Sequence, residues 1–272
     1  MQLFKRKSRA ERINIILSKD PHIYDEHTLK GQKKWAKDFD WAFKDMAKNG
    51  TPDDLKDYLA FRFPFHCWQY NLKDMESTIL DVKEIDVEML SDKNIPPKIG
   101  QLVNLEHLHI YDYALSIPNE FEKLKNLKTL GLSFRGNFPE VICKLVRLEA
   151  LQMRSNDFTN QPLNIDKLIQ LKSLQLNNIG FNNFPASVTS LDNLNDLGLG
   201  RNNIKEIPAD IGKLINLKKL RIDNNPLRKI PKEIQLLKKL EYLDVKQTKL
   251  TNEARVQLEK WLPNTEISYD DK

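Results

Sequence analysis

A recurring step of about 23 residues, marked by prolines, constrains this chain more than any other feature. Pro96, Pro118, Pro139, Pro162, Pro185, Pro208 and Pro231 form a ladder whose last four steps are 23 residues each. The apolar residues travel with it. Leu194, Leu197, Leu199, Ile204, Ile207, Ile211 and Leu214 return one period later as Leu217, Leu220, Ile222, Leu227, Ile230, Ile234 and Leu237. A unit of this size cannot bury its apolar side alone and does so by stacking on its neighbours, so the pattern predicts a solenoid.

Set out by first apolar position, the units start at Val82, Leu105, Leu127, Leu148, Leu171, Leu194, Leu217 and Leu240. The Leu105 and Leu127 units are one and two residues short, a loss expected in the turn before the proline. Each opens as LxxLxL, whose alternation makes a short strand with its leucines inward. Each closes as IPxxIxxL, whose wider spacing suits a helical or 3-10 turn on the outer side. Burying one leucine contributes about 1.5–3 kcal/mol, so this spine holds the array. Asn156, Asn202 and Asn225 follow the strands, where a side-chain amide can bond unpaired backbone groups of the turn.

The pattern LxxLxLxxNxLxxIPxxIxxL resembles the leucine-rich repeat family, in the 23-residue form of bacterial and intracellular Ras-associated members, over about residues 82–262. Ile179, Arg135 and Tyr113 stand where the family places asparagine, and Gln161 replaces the isoleucine before Pro162, which predicts a looser ladder at those turns. The resemblance implies an α/β leucine-rich repeat solenoid with a parallel sheet on its concave side. It also implies a C-terminal cap from about residue 251, with a helix through Val256, Leu258 and Trp261-Leu262 that Pro263 stops and a last strand at Thr265–Tyr269. Cysteine-rich flanking caps of extracellular members are absent.

Residues 1–81 show no period and read as a small α-helical region that caps the repeats of 82–272. Ser8 caps a helix from Ala10 to Leu17. Trp35, Phe39, Ala42, Phe43 and Met46 mark a second helix that Asn49-Gly50 ends. Thr51-Pro52-Asp53-Asp54 reads as a further helix start, with Leu55, Tyr58 and Leu59 buried. The aromatic run Phe61–Trp68 reads as an extended wedge over the first repeat. His66 and Cys67, adjacent on an extended chain, point to opposite sides and make a poor base and nucleophile.

Forty-three basic residues nearly cancel 38 acidic ones, leaving +5. That balance argues against nucleic acid as a partner. Lys5-Arg6-Lys7 without an apolar face is a marginal membrane anchor. Cys67 and Cys143 lie far apart in apolar contexts and fit reduced thiols. The N-terminal stretch lacks the apolar core of a cleaved leader, and no run approaches a membrane span. The expected location is cytoplasmic, or secreted without a cleaved leader.

In the resembled family the strand face binds a protein. Eight strands about 4.8 Å apart offer roughly 35–40 Å, room for an interface of about 800 Å² per partner. The outward positions run Glu84, Asp86 and Glu88 on the first strand, then His107, His109 and Tyr111, then Thr129, Gly131, Ser133 and Phe134. Arg154 follows on the fourth, Gln175 and Asn177 on the fifth, and Gly198, Gly200 and Arg201 on the sixth. The last two carry Arg221 and Lys246. Glu84 beside His107 and Asp86 beside His109 are expected as cross-strand hydrogen bonds, with zinc as the rival reading. Gly198 and Gly200 leave a dent between Gln175/Asn177 and Arg221 where a partner backbone could approach, with unused positions as the rival reading. At the basic end Arg221 is expected beside Asp244, Asp223 beside Lys246 and Asp196 beside Lys219, which neutralises most of the charge.

No phosphate loop, metal-protease helix or nucleophile elbow occurs. The function expected is a non-enzymatic protein-binding module without a cofactor, gripping its partner around Asp86, Tyr111 and Phe134. The alternatives are a bacterial effector or immunity factor, and a metal-dependent hydrolase at His107/His109.

Overall fold

The computed structural model describes residues 7–18, 29–88, 90, 93–155 and 163–270. Lys5-Arg6, Asn156, Gln161 and Pro162, singled out above, lie outside them. The chain divides into an N-terminal unit ending at Ile85 and a repeat unit, Asp86–Lys272, with the division inside the first strand.

The N-terminal unit is helical. In α1 (Arg9–Leu17) Ser8 Oγ accepts from Glu11 N at 3.1 Å while Ser8 N donates to Glu11 Oε2 at 2.7 Å, so two orphan donors are satisfied reciprocally. Helix α2 (Leu29–Asn49) buries Phe39, Ala42, Phe43 and Met46, as their spacing predicts. Arg9 ties the two helices through Asp45, Nε to Oδ2 2.5 Å.

Two local expectations are corrected. Thr51 does not cap a helix: its N–H and hydroxyl both donate to Asp74, at 2.7 and 3.1 Å, and a 3-10 turn at Asp53–Leu55 precedes α3 (Lys56–Arg62). The aromatic run is not extended, because Pro64 sits at the first position of a helix, α4 (Pro64–Gln69). Tyr58 is exposed where burial was expected, its hydroxyl donating to Leu17 O at 3.3 Å. His66 is buried among the rings of Phe39, Phe43 and Phe63, at centroid distances of 5.1, 5.6 and 5.7 Å. Helix α5 (Glu76–Leu80) completes the unit.

The repeat unit carries a nine-stranded sheet whose spatial order follows the chain: β1 (Glu84–Val87), β2 (His107–Ala114), β3 (Thr129–Phe134), β4 (Ala150–Ser155), β5 (Ser173–Gln175), β6 (Asp196–Gly198), β7 (Lys219–Arg221), β8 (Tyr242–Asp244) and β9 (Glu266–Ser268). Every pairing from β2 onward is parallel. The register aligns Leu108, Leu130, Leu151, Leu174, Leu197, Leu220 and Leu243 in one column, all but inaccessible to water.

After Pro96, Pro118, Pro139, Pro185, Pro208 and Pro231 the chain forms five-residue 3-10 helices on the outer side. Two of these, Pro97–Gln101 and Asn119–Lys123, approach closely because Gly100 has no side chain. A Cβ there would lie 2.8 Å from Glu120 Cβ and 3.0 Å from its carbonyl oxygen. At the far end α6 (Asn252–Trp261), capped by Thr251, buries Leu258, and β9 closes the sheet against β8.

The turns are held by asparagines. Asn202 Oδ1 accepts from the backbone N–H groups of Ile179, Gly180 and Phe181 at 2.9–3.1 Å, and its Nδ2 donates to Leu176 O and Leu199 O. Asn225, 2% exposed, repeats this one unit on, accepting from Ile204 N and donating to Leu199 O and Ile222 O. The residues after β5 to β8 (Asn178, Arg201, Asn224 and Gln247) turn in the left-handed region at φ of 52–56°.

Candidate interaction face

The parallel register lays the outward side chains in rows across the sheet. One row reads His107, Thr129, Ala150, Ser173, Asp196, Lys219, Tyr242 and Glu266; the next reads His109, Gly131, Gln152, Gln175, Gly198, Arg221 and Asp244. Of the residues expected on this face, His107, His109, Gln175 and Arg221 stand in these rows, and Arg154 lies two places past Gln152 opposite Ser133.

Phe134 is not on this face. It is 1% exposed and pairs with Ala114 and Ser155, sharing the side of Leu130 and Leu132. Alternation along a strand puts residues two apart on the same face, so Phe134 is core. It can make no contact with a partner while the strand is formed.

At β2 the register jumps: Ile110 pairs with Leu132, but Tyr113 pairs with Ser133. Tyr111 and Asp112 are therefore two extra residues on this strand. Asp112 pins the bulge, accepting from Leu90 N at 2.9 Å and pairing with Lys93 Nζ at 2.6 Å. Tyr111 is left projecting, 52% exposed, with its ring stacked on His109 at 6.2 Å. Tyr113, read above only as a missing asparagine, takes the outward position in line with Ser133.

The histidines part company. His107 Nδ1 lies 3.0 Å from Thr129 Oγ1 on β3, whereas His109 lies over Gly131, where a Cβ would collide with its ring. No three His, Cys, Asp or Glu residues among those described stand close enough together to hold a metal ion. The reading of Cys67 as a nucleophile fails as well. Burial pushes its thiol far up, away from the reactive thiolate. Cys143 is pushed up to about 11, chiefly by desolvation, and its Sγ donates to Asn164 O at 2.6 Å.

The dent expected at Gly198 and Gly200 is filled. Gln175 lies over Gly198 and Asp223 over Gly200, and both glycines are buried. Gln175 belongs to a polar chain: Asn177 Nδ2 donates to Gln175 Oε1 at 3.3 Å, Gln175 Nε2 to Asp196 Oδ1 at 3.1 Å, and Arg221 Nη1 to the same oxygen at 2.7 Å. Thus Gln175, Asn177 and Arg221 come together and are engaged with one another. Asp244, opposite Arg221, instead accepts from Tyr242 Oη at 3.3 Å and Lys246 N at 3.0 Å. Arg154, Arg201 and Lys246 are exposed.

A column of alternating charge at the entrance to the strands went unread in the sequence. Lys128 pairs with Glu106, Lys172 with Glu149 at 2.7 Å, and Lys218 with Glu241 at 3.3 Å. Its signal is the residue after the first leucine of each unit: Glu106, Lys128, Glu149, Lys172, Asn195, Lys218, Glu241.

No helix among the described residues is long and apolar enough to cross a membrane. A family model described as a leucine-rich repeat region matches residues 157–261. Among solved structures, the chain is similar to a leucine-rich repeat protein of Leptospira interrogans, at 29% identity and a TM-score of 0.62, over 70% of this chain and 50% of that one. It is also similar to the plant peptide hormone receptor RGFR1, solved in complex with RGF2, at 25% identity and a TM-score of 0.55, over 70% of this chain and 32% of that one. A TDR receptor is 26% identical with a TM-score of 0.55, over 72% of this chain and 36% of that one. The chain thus spans half or less of the length of these proteins. A search of curated proteins returns no match.

Proposed function

We propose that this chain, which belongs to the leucine-rich repeat family, is a non-enzymatic module that grips a protein partner on the exposed face of β2–β4. One observation carries the placement: Tyr111, half exposed, is thrust outward by a two-residue bulge that Asp112 anchors. A large amphipathic ring held at low conformational cost is the kind of side chain that dominates interface energy. Tyr113 on the same strand and the His109 ring beside Tyr111 enlarge that anchor. The sheet as a whole has room around this anchor, since nine strands about 4.8 Å apart give a site of standard interface size.

Other features support the same reading. RGFR1, similar in fold, is a plant peptide hormone receptor solved in complex with RGF2. The polar chain through Gln175, Asp196 and Arg221 is satisfied internally, which leaves the N-terminal strands as the more available part of the face. Free Cys67 and Cys143 favour a reducing compartment. The likeness to a Leptospira interrogans protein favours a bacterial setting, where an effector or immunity role would use the same face.

Affinity capture by the full chain tests the proposal. Tyr111→Ala should weaken recovery of a bound protein by about tenfold or more, in line with an aromatic anchor. Val256→Ser, at an exposed position on α6, should leave it unchanged. Equal recovery with wild type and Tyr111→Ala would move the site elsewhere.

A further inference from the structure

The strand face is unevenly charged. From β6 onward carboxylates and cations interleave: Asp196, Asp223 and Asp244 lie among Lys219, Arg221 and Lys246. Over β3, β4 and β5 the outward positions hold no carboxylate at all. The arginines there, Arg135 and Arg154, are both exposed, and neither has an ion-pair partner among the described residues. Arg221 on the same face, by contrast, is paired with Asp196.

We propose, building on the binding face assigned above, that Arg135 and Arg154 together take a carboxylate side chain from an acidic segment of the protein partner. The backbone fixes both. Arg135 N donates to Ala114 O at 3.0 Å, carrying the ladder one residue past β3 before Gly136 turns away at φ +87°. Arg154 pairs with Ser133, two residues before Arg135. Strand spacing and rise put their Cα atoms about 8 Å apart, so two long side chains on one face can converge on a single carboxylate. A guanidinium presents a planar fork that matches a carboxylate in two parallel hydrogen bonds. Tyr113 stands on the same line across Ser133 and offers a ring to the neighbouring residue of the segment. A nucleic acid fits less well: a polyanion running along the rows would meet Asp196, Asp223 and Asp244 within a few strands.

The test uses the full chain and a fluorescent glutamate-rich peptide, with the same peptide bearing glutamine at every glutamate as its control. Fluorescence anisotropy should show saturable binding of the glutamate peptide, weakened by added salt, and none of the glutamine peptide. Arg135→Gln combined with Arg154→Gln should weaken binding about tenfold or more, since each lost charge-assisted bond alone approaches that factor. Lys219→Gln combined with Lys246→Gln should leave it unchanged. Equal loss in the lysine pair, equal binding by the arginine pair, or no binding at all overturns the proposal. So does preference for a single-stranded RNA oligomer over the peptide through the same two arginines. If a captured partner still depends on Tyr111 but not on these arginines, the binding face stands and the carboxylate assignment falls.

Discussion

Arg221 on β7 reaches back to Asp196 on β6, Nη1 to Oδ1 2.7 Å, although Asp244 stands directly opposite it on β8. The diagonal choice follows from what the rest of the face does: Asp196 already gathers Gln175, while Asp244 is taken by Tyr242 and by the backbone of Lys246. Both partners are about one-third exposed, so the pair is worth little in itself. A double-mutant cycle with Asp196→Asn and Arg221→Gln, read by urea denaturation, should give a coupling of about 0.5 kcal/mol or less. The same cycle on Asp244 and Arg221 should give none.

Asn225 is a different kind of polar residue. It is buried and serves backbone groups on both sides of the turn. Asn225→Ala removes the partner of Ile204 N–H and of Ile222 O, while Leu199 O keeps Asn202 Nδ2 and Asp223 O keeps Arg201 N, and each buried group so orphaned costs about 1–3 kcal/mol. A loss of roughly 2–4 kcal/mol in unfolding free energy is expected, seen as a lower urea midpoint.

Glycines on the two sides of the array should answer differently to alanine. At Gly100 the new methyl meets the Cβ and carbonyl oxygen of Glu120, which belong to the next 3-10 helix and cannot swing aside. Gly100→Ala should cost about 1–3 kcal/mol as an overpacked contact. At Gly200 the obstacle is the side-chain carboxylate of Asp223, which can rotate away with the loss of one hydrogen bond from Asn224, so Gly200→Ala should cost about 1 kcal/mol. Thermal unfolding of the two variants distinguishes them.

Two ion pairs, one in the charge column and one between neighbouring 3-10 helices, give a pH signature. The Lys172 hydrogen bond holds the Glu149 carboxyl below its ordinary value of 4.5, and the Lys144 bond does the same for Glu122. A carboxylate depressed on folding stabilises the folded state above its unfolded pKa and loses that effect as pH falls through the folded value. Glu149→Gln should therefore lower the melting temperature slightly at neutral pH, and the gap to wild type should close below about pH 4. Both carboxylates are less than half exposed but open to solvent, so the gap should also shrink with salt.

The leucine column was legible because its period is enforced by packing at every unit, and the 3-10 turns because a proline opens each one. What escaped was whatever depends on neighbours. A two-residue insertion at Tyr111-Asp112 preserves alternation, so the string HLHIYDYA carries no sign of the bulge until β3 is laid beside it. Phe134 was misplaced although its parity with Leu132 was readable, because an aromatic ring past the last leucine resembles an exposed anchor. Gly198 and Gly200 announce missing side chains but not that Gln175 and Asp223 lie over them. In the N-terminal unit a dense aromatic run looked extended, and Pro64, well placed at a helix start, decided otherwise.

Site-specific photo-crosslinking tests most directly whether the β2–β4 face is the one that holds a partner. A crosslinking residue placed at position 111, and separately at position 256 on α6, should yield a discrete protein adduct in native cells from the first site and none from the second. An adduct from position 256 with none from position 111 would contradict the placement.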